Sequence, residues 1–134
     1  MKKNIGLLVY LLMVVCPLSA QTECERLFEP IAETIRKNNV VAFSEYFADA
    51  VACDILSEEQ MYSKEQVCQI VKKLAATEGD VRSFTIKHCS GKELLKYAIG
   101  NLTTVNGARY RITMFVNVDE GKVKIQQLRI EKQP

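Results

Sequence analysis

The sequence predicts an α+β domain, a curved and mostly antiparallel sheet with helices across its concave face. Three observations carry that reading. The main apolar stripes before Gly79 have helical spacing, and from Val81 onward the period is two. Asn106-Gly107 sits between two alternating runs, Tyr97–Val105 and Ala108–Val118. Asn-Gly is the strongest short hairpin signal, because a type I′ turn needs positive φ at both central positions. Four strands then follow the helices in succession, and helices gathered on one face of an antiparallel sheet are the α+β arrangement.

Residues 1–20 read as a secretory signal peptide. Lys2 and Lys3 form a positive start, Ile5–Val15 is apolar, and Leu18-Ser19-Ala20 ends in a small residue before Gln21. The apolar run is shorter than the about 20 residues of a membrane span. A lipoprotein signal acylated at Cys16 is the alternative, but Val15 is bulky where a small residue belongs. Cleavage after Ala20 leaves residues 21–134 as a single domain, exported to a bacterial periplasm or medium, with no membrane span of its own. Lys2 and Lys3 account for the whole excess of 18 basic over 16 acidic residues. The remaining chain is close to neutral and has no basic stripe for phosphates, which argues against nucleic acid.

Cys24, Cys53, Cys68 and Cys89 remain after cleavage. In an exported chain they predict up to two disulfides, with three pairings open. Their wide spacing and the single histidine, His88, speak against a metal centre, and no motif points to a cofactor.

In chain order, Pro30 suits a first helical turn, so a helix is expected over about 29–38, with Ile31 and Ile35 inward and Phe28 stapling its entry. Asn38-Asn39 ends it and restarts a short helix over 40–48, where Val40, Phe43 and Phe47 share a face. Residues 50–56 alternate as a strand, and 57–62 read as a polar loop. Ser63 and Gln66 form a capping box for a helix with Val67, Ile70, Val71 and Leu74 on one stripe, closed by Gly79. Phe84, Ile86 and His88 then alternate inward along a strand that turns at Ser90-Gly91.

A two-residue turn at Asn106-Gly107 would oppose Thr103 to Tyr110, Asn101 to Ile112, Ile99 to Met114 and Tyr97 to Val116. Opposed residues share a face, which sorts Tyr97, Ile99, Asn101, Thr103, Tyr110 and Ile112 onto the core side. Ala98, Gly100, Leu102, Arg109, Arg111 and Phe115 then lie outside. Glu120-Gly121 makes the next turn, opposing Val123 to Val118 and Ile125 to Val116. Beyond it the apolar parity breaks, and one extra residue at Gln126-Gln127, a β-bulge, restores it.

Several short motifs span nearly the whole domain. They are Phe28-x-Pro30-Ile31, Tyr46-Phe47-Ala48, Ser63-Lys64-x-Gln66, Ser83-Phe84-x-Ile86-x-His88, Lys96–Leu102 and Ile125–Glu131. With these motifs the chain resembles the cone-shaped nuclear-transport-factor-2-like (SnoaL-like, cystatin-like) superfamily, and more closely an uncharacterised bacterial family of small exported proteins with that fold. The resemblance implies the fold and export. It implies no reaction, because the wider superfamily holds both enzymes and non-enzymatic binding or assembly domains. Members often carry Gly-Asp where this chain has Asn38-Asn39.

Tyr97, Asn101, Thr103, Tyr110 and His88 place hydroxyl, amide and imidazole groups on the expected concave face, as a small-molecule pocket is lined. The leading expectation is therefore non-enzymatic binding of a small molecule or peptide there. A second is a SnoaL-like lyase, isomerase or hydrolase with His88 as general base beside Tyr97 or Tyr110, or a catalytic thiol beside His88. Asp54 alternates outward, so parity disfavours an Asp54–His88 dyad. A third is a structural or dimerisation module. For it, Ala98, Gly100, Leu102 and Phe115 on the outer face suggest a seat for a second copy of the sheet. Arg109 and Arg111 on that face read as surface charge.

Overall fold

The architecture comes from a computed structural model and is described for residues 22–134. The expected signal peptide, residues 1–20, lies outside the described residues. Helix α1 (Glu23–Arg36) begins earlier than Pro30 suggests, because the Thr22 hydroxyl caps it by accepting from the Glu25 N–H at 3.2 Å. Pro30 is therefore inside the helix, where it costs about 3 kcal/mol. The buried stripe Phe28, Ile31, Ala32 and Ile35 packs strongly enough to hold the helix regardless. Glu23 and Glu25 at its start and Arg36 in its last turn suit the helix dipole. Arg36 bonds Glu29 at 2.6 Å and Glu33 at 2.9 Å, and its Nε donates to the Phe84 carbonyl at 2.9 Å. These two carboxylates, Glu29 first, raise the guanidinium pKa further.

Asn38 takes φ 56°, a left-handed conformation, and its side chain brackets Val81, accepting from its N–H at 2.6 Å and donating to its carbonyl at 3.3 Å. Asn39 then caps α2 (Val40–Ser44) through the Ala42 N–H at 3.1 Å. A Gly-Asp pair would serve both positions, one for positive φ and one for capping. Helix α2 is shorter than its apolar spacing suggests. Phe43 and Phe47 do touch, edge to face at 5.0 Å, but Phe47 already belongs to β1 (Phe47–Ile55) and pairs with Ile125.

Leu56 and Ser57 both have positive φ and turn the chain directly into β2 (Glu58–Ser63). The expected polar loop is thus an edge strand. Its residues are mostly exposed and do not alternate, so no burial signal marked it. Charged residues on such an edge also discourage pairing with other chains. The capping box at Ser63 and Gln66 forms as expected and opens α3 (Lys64–Glu78), which Gly79 ends at φ 104°.

The four C-terminal strands are β3 (Val81–Lys92), β4 (Leu95–Thr104), β5 (Arg109–Asp119) and β6 (Lys122–Gln133). The six-stranded sheet runs β2-β1-β6-β5-β4-β3, with β1 parallel to β6 and every other pair antiparallel. Chain reversal after β3 falls at Glu93-Leu94, because Ser90 and Gly91 pair with Tyr97 and Lys96 inside the ladder. A bulge between Ile86 and His88 shifts the parity of β3. It turns His88 away from the inward face of Phe84 and Ile86, and Cys89 forms a disulfide with Cys24 of α1. Cys53 and Cys68 are free.

At Glu120-Gly121 both residues have positive φ, as a type I′ turn requires. Val118 opposes Val123, Val116 opposes Ile125, and the register then shifts so that Phe115 faces Gln127. The bulge expected at Gln126-Gln127 is present. The β4–β5 hairpin differs. Gly107 is left-handed but Asn106 is not. The Gly107 N–H donates to the Thr104 carbonyl at 3.0 Å and the Thr104 N–H to the Ala108 carbonyl at 2.9 Å. This is a three-residue loop with a glycine bulge. Thr103 therefore opposes Arg109, Leu102 opposes Tyr110, and Tyr97 opposes Phe115, one residue away from the expected register. With a side-chain period of two, that slip exchanges the faces of β4. Ala98, Leu102 and Thr104 are buried with Tyr110, Ile112, Met114 and Val116.

Gly100 now lies under Phe84, where a Cβ would come within 2.5 Å of the ring and 3.1 Å of the Thr85 carbonyl. Gly100→Ala is expected to destabilise the fold by about 1–3 kcal/mol through overpacking, read from the urea midpoint. The Cys24–Cys89 bond closes a separation of 65 residues, so the double variant Cys24→Ser/Cys89→Ser is expected to lose about 4 kcal/mol. Alkylation of the denatured, unreduced protein should modify Cys53 and Cys68 and spare Cys24 and Cys89.

Candidate functional site

A cavity of about 120 Å³ lies between the helices and the concave face of the sheet. The end of α1 supplies Ile35, α2 supplies Phe43, and α3 supplies Val71, Leu74 and Ala75. Across from them stand Leu102 of β4, Ile112 of β5 and Leu128 and Ile130 of β6. The bulge in β6 makes this wall possible, since it lets Leu128 and Ile130 face inward beside Met114 and Ile112.

The polar rim is built where α3 passes into β3. Glu78, the last residue of α3, accepts from the Tyr110 hydroxyl and from Lys132 Nζ, the latter at 3.3 Å. The Lys132 ammonium also stands 5.9 Å from the Tyr110 ring centroid, within reach of a cation–π contact. Thr34 donates to the Ile31 carbonyl at 2.6 Å, and Thr104 Oγ1 accepts from the Ala108 N–H at 3.1 Å. These rim groups are thus bonded within the protein, with the exposed Asp80 carboxylate beside them, and the cavity itself offers mainly packing surface.

Of the residues expected to line the concave pocket, only Tyr110 lines this cavity. Tyr97, Asn101 and Thr103 stand on the outer face because of the one-residue slip of β4, and His88 joins them because of the bulge in β3. His88 Nε2 lies 3.1 Å from the Tyr97 hydroxyl on that exposed face. Of the expected interface, Ala98, Gly100 and Leu102 are in the core and only Phe115 is outside, its ring 5.5 Å from that of Tyr97. Arg109 and Arg111 are on the outer face, as expected.

Asp54 on β1 pairs with Arg129 at 3.2 Å. It is four strand positions from β3, about 19 Å, too far for a dyad with His88. The same separation keeps the buried Cys53 from His88, and burial pushes that thiol up to about 11. Among the described residues, no group of three His, Cys, Asp or Glu side chains could hold a metal ion, and no helix is long and apolar enough to cross a membrane.

Glu78, Lys132 and Thr104 were not singled out in the sequence. Glu78 had a signal, since it continues the Val67, Val71, Leu74 stripe at helical spacing. Thr104 was hidden by the hairpin register.

The profile of a domain of unknown function, DUF4783, matches residues 28–131. No curated protein matches the chain. Among solved structures, a DUF4783 family protein from Bacteroides fragilis YCH46 is similar, with 25% identity and a TM-score of 0.71 over 78% of this chain and 97% of that one. Another, from Bacteroides uniformis ATCC 8492, has 22% identity and a TM-score of 0.72 over 79% and 96%. An NTF2-like protein of unknown function from Shewanella baltica OS155 has 10% identity and a TM-score of 0.65 over 86% and 99%, a likeness of fold. The chain belongs to the DUF4783 family, a domain of unknown function with the nuclear-transport-factor-2-like fold.

Proposed function

We propose that this domain binds a small, largely apolar ligand in its cone without transforming it. The observation behind the reading is the cavity itself. Phe43 and Leu74 line it without filling it, and about 120 Å³ stays open between apolar walls. A cavity of comparable size holds a benzene-sized molecule in other proteins. Of the two carboxylates at its rim, Glu78 is engaged by Tyr110 and Lys132, and Asp80 is exposed. An enzymatic role for His88 draws less support, because that side chain is exposed on the opposite face.

Export is part of the same proposal. It is supported by the signal-like start and by the Cys24–Cys89 disulfide, a bond that persists in oxidising compartments. Pairing of two copies through the outer face would have to use Tyr97, Ile99 and Phe115, since Ala98, Gly100 and Leu102 are covered by the core.

Toluene is a suitable probe. At about a hundredfold excess over its Kd it should stabilise the protein by about 2.7 kcal/mol, raising Tm by about 10 °C. Ala75→Phe, which fills the cavity from α3, should abolish the rise. No response in the wild-type protein, or an equal response in Ala75→Phe, would sink the binding reading. The exported protein should begin at Gln21, which the intact mass of material recovered from the periplasm or medium checks.

A further inference from the structure

We infer that the outer face of the sheet carries a second binding site, for a sugar bearing a carboxylate or sulfate group. It is independent of the cavity on the other face. The register sets three strands side by side in two rows. Ser83, Thr103 and Arg109 form one row, and Thr85, Asn101 and Arg111 form the next. Neighbouring strands are about 4.8 Å apart and alternate residues about 6.7 Å apart. The six side chains therefore cover roughly 10 by 7 Å, the footprint of one monosaccharide with its substituents. They line a groove of about 520 Å³, joined by Lys87.

The chemistry of the patch is divided. Its β5 side is cationic and its β3 and β4 side offers neutral hydroxyls and an amide. No acidic side chain lines the groove. Arg111 faces Glu131 across the β5–β6 ladder, yet among the described residues neither it nor Lys87 takes part in an ion pair, whereas Arg36 and Arg129 both do. Arg109 donates one N–H to the main-chain oxygen of Pro134, which itself lines the groove, and a guanidinium has five such donors. Two arginines at i and i+2 on one face can grip a carboxylate or sulfate with paired N–H bonds. A bare anion would leave Ser83, Thr85, Asn101 and Thr103 unused. A hydroxylated ring carrying the anion engages both halves. Three cations are too few to follow a nucleic acid backbone tightly.

Amide NMR titration of the purified protein at low salt tests this. Glucuronate and glucose 6-sulfate are the probes, and together they tell carboxylate from sulfate. Glucose and inorganic sulfate each carry half of the chemistry. At least one of the two charged sugars should shift the amides of Thr85, Asn101, Thr103 and Arg111 saturably. Glucose should not, and inorganic sulfate should bind more weakly than the better sugar. Arg111→Gln should weaken the sugar about tenfold or more while leaving the urea midpoint unchanged. The inference is overturned if neither charged sugar shifts these amides or glucose shifts them equally. It is also overturned if sulfate alone binds as tightly as the better sugar, or if Arg111→Gln binds as the wild type does.

Discussion

A pair of backbone hydrogen bonds at the β4–β5 loop governs the rest of the sheet. Gly107 N–H to the Thr104 carbonyl, with Thr104 N–H to the Ala108 carbonyl, closes three residues where two were possible. The reason lies outside the hairpin. Val105 N–H donates to the Asp80 carbonyl at 2.9 Å, and Asn106 Nδ2 donates to the Glu78 carbonyl at 3.3 Å. The loop is held by the link between α3 and β3, and Thr104 Oγ1 adds a further bond to Ala108 N–H. Each β4 side chain takes its face from this closure, since a one-residue slip reverses an entire strand.

The same constraint builds the cavity. With Leu102 and Thr104 turned inward, β4 contributes wall rather than outer surface, and Gly100 leaves room for the Phe84 ring. Arg36 holds the end of α1 against β3 through the Phe84 carbonyl, and the Cys24–Cys89 bond ties the start of that helix to the same strand. The helix layer is therefore anchored along one edge of the sheet. At the other end, Ile125 N–H donates to the Tyr46 carbonyl at 2.6 Å and begins the parallel pairing of β1 with β6. The open space lies where Val71, Leu74 and Ala75 of α3 face the sheet, with Glu78 bonded to Tyr110 and Lys132 at its rim.

Much of the fold was legible in the residues because its signals are local. The capping box at Ser63 and Gln66, the positive-φ turn at Glu120-Gly121 and the parity break at Gln126-Gln127 each depend on neighbours in sequence. They reappear in the structure where they were expected. The edge strand β2 was not legible, because it buries too little to alternate and its turn uses Leu56-Ser57 rather than glycine or asparagine. The early start of α1 was obscured by Pro30, whose usual place in a first turn was overridden by four buried side chains. Of the expected pocket residues only Tyr110 lines the cavity, because β5 keeps its expected face while β4 slips by one residue and the β3 bulge turns His88 outward.

The sequence by itself determined the α+β class, the order of the helices, the four closing strands and the faces of β5 and β6. These follow from hydrophobic period, helix caps and turn chemistry, which act over a few residues. Tertiary structure alone decided the register of β4, the outward turn of His88, the Cys24–Cys89 pairing and the meeting of Glu78, Tyr110 and Lys132. Each of these depends on a contact between residues far apart in the chain. Asn106-Gly107 carried the same local signal as a two-residue turn, and only its grip on the α3–β3 link selected the longer loop.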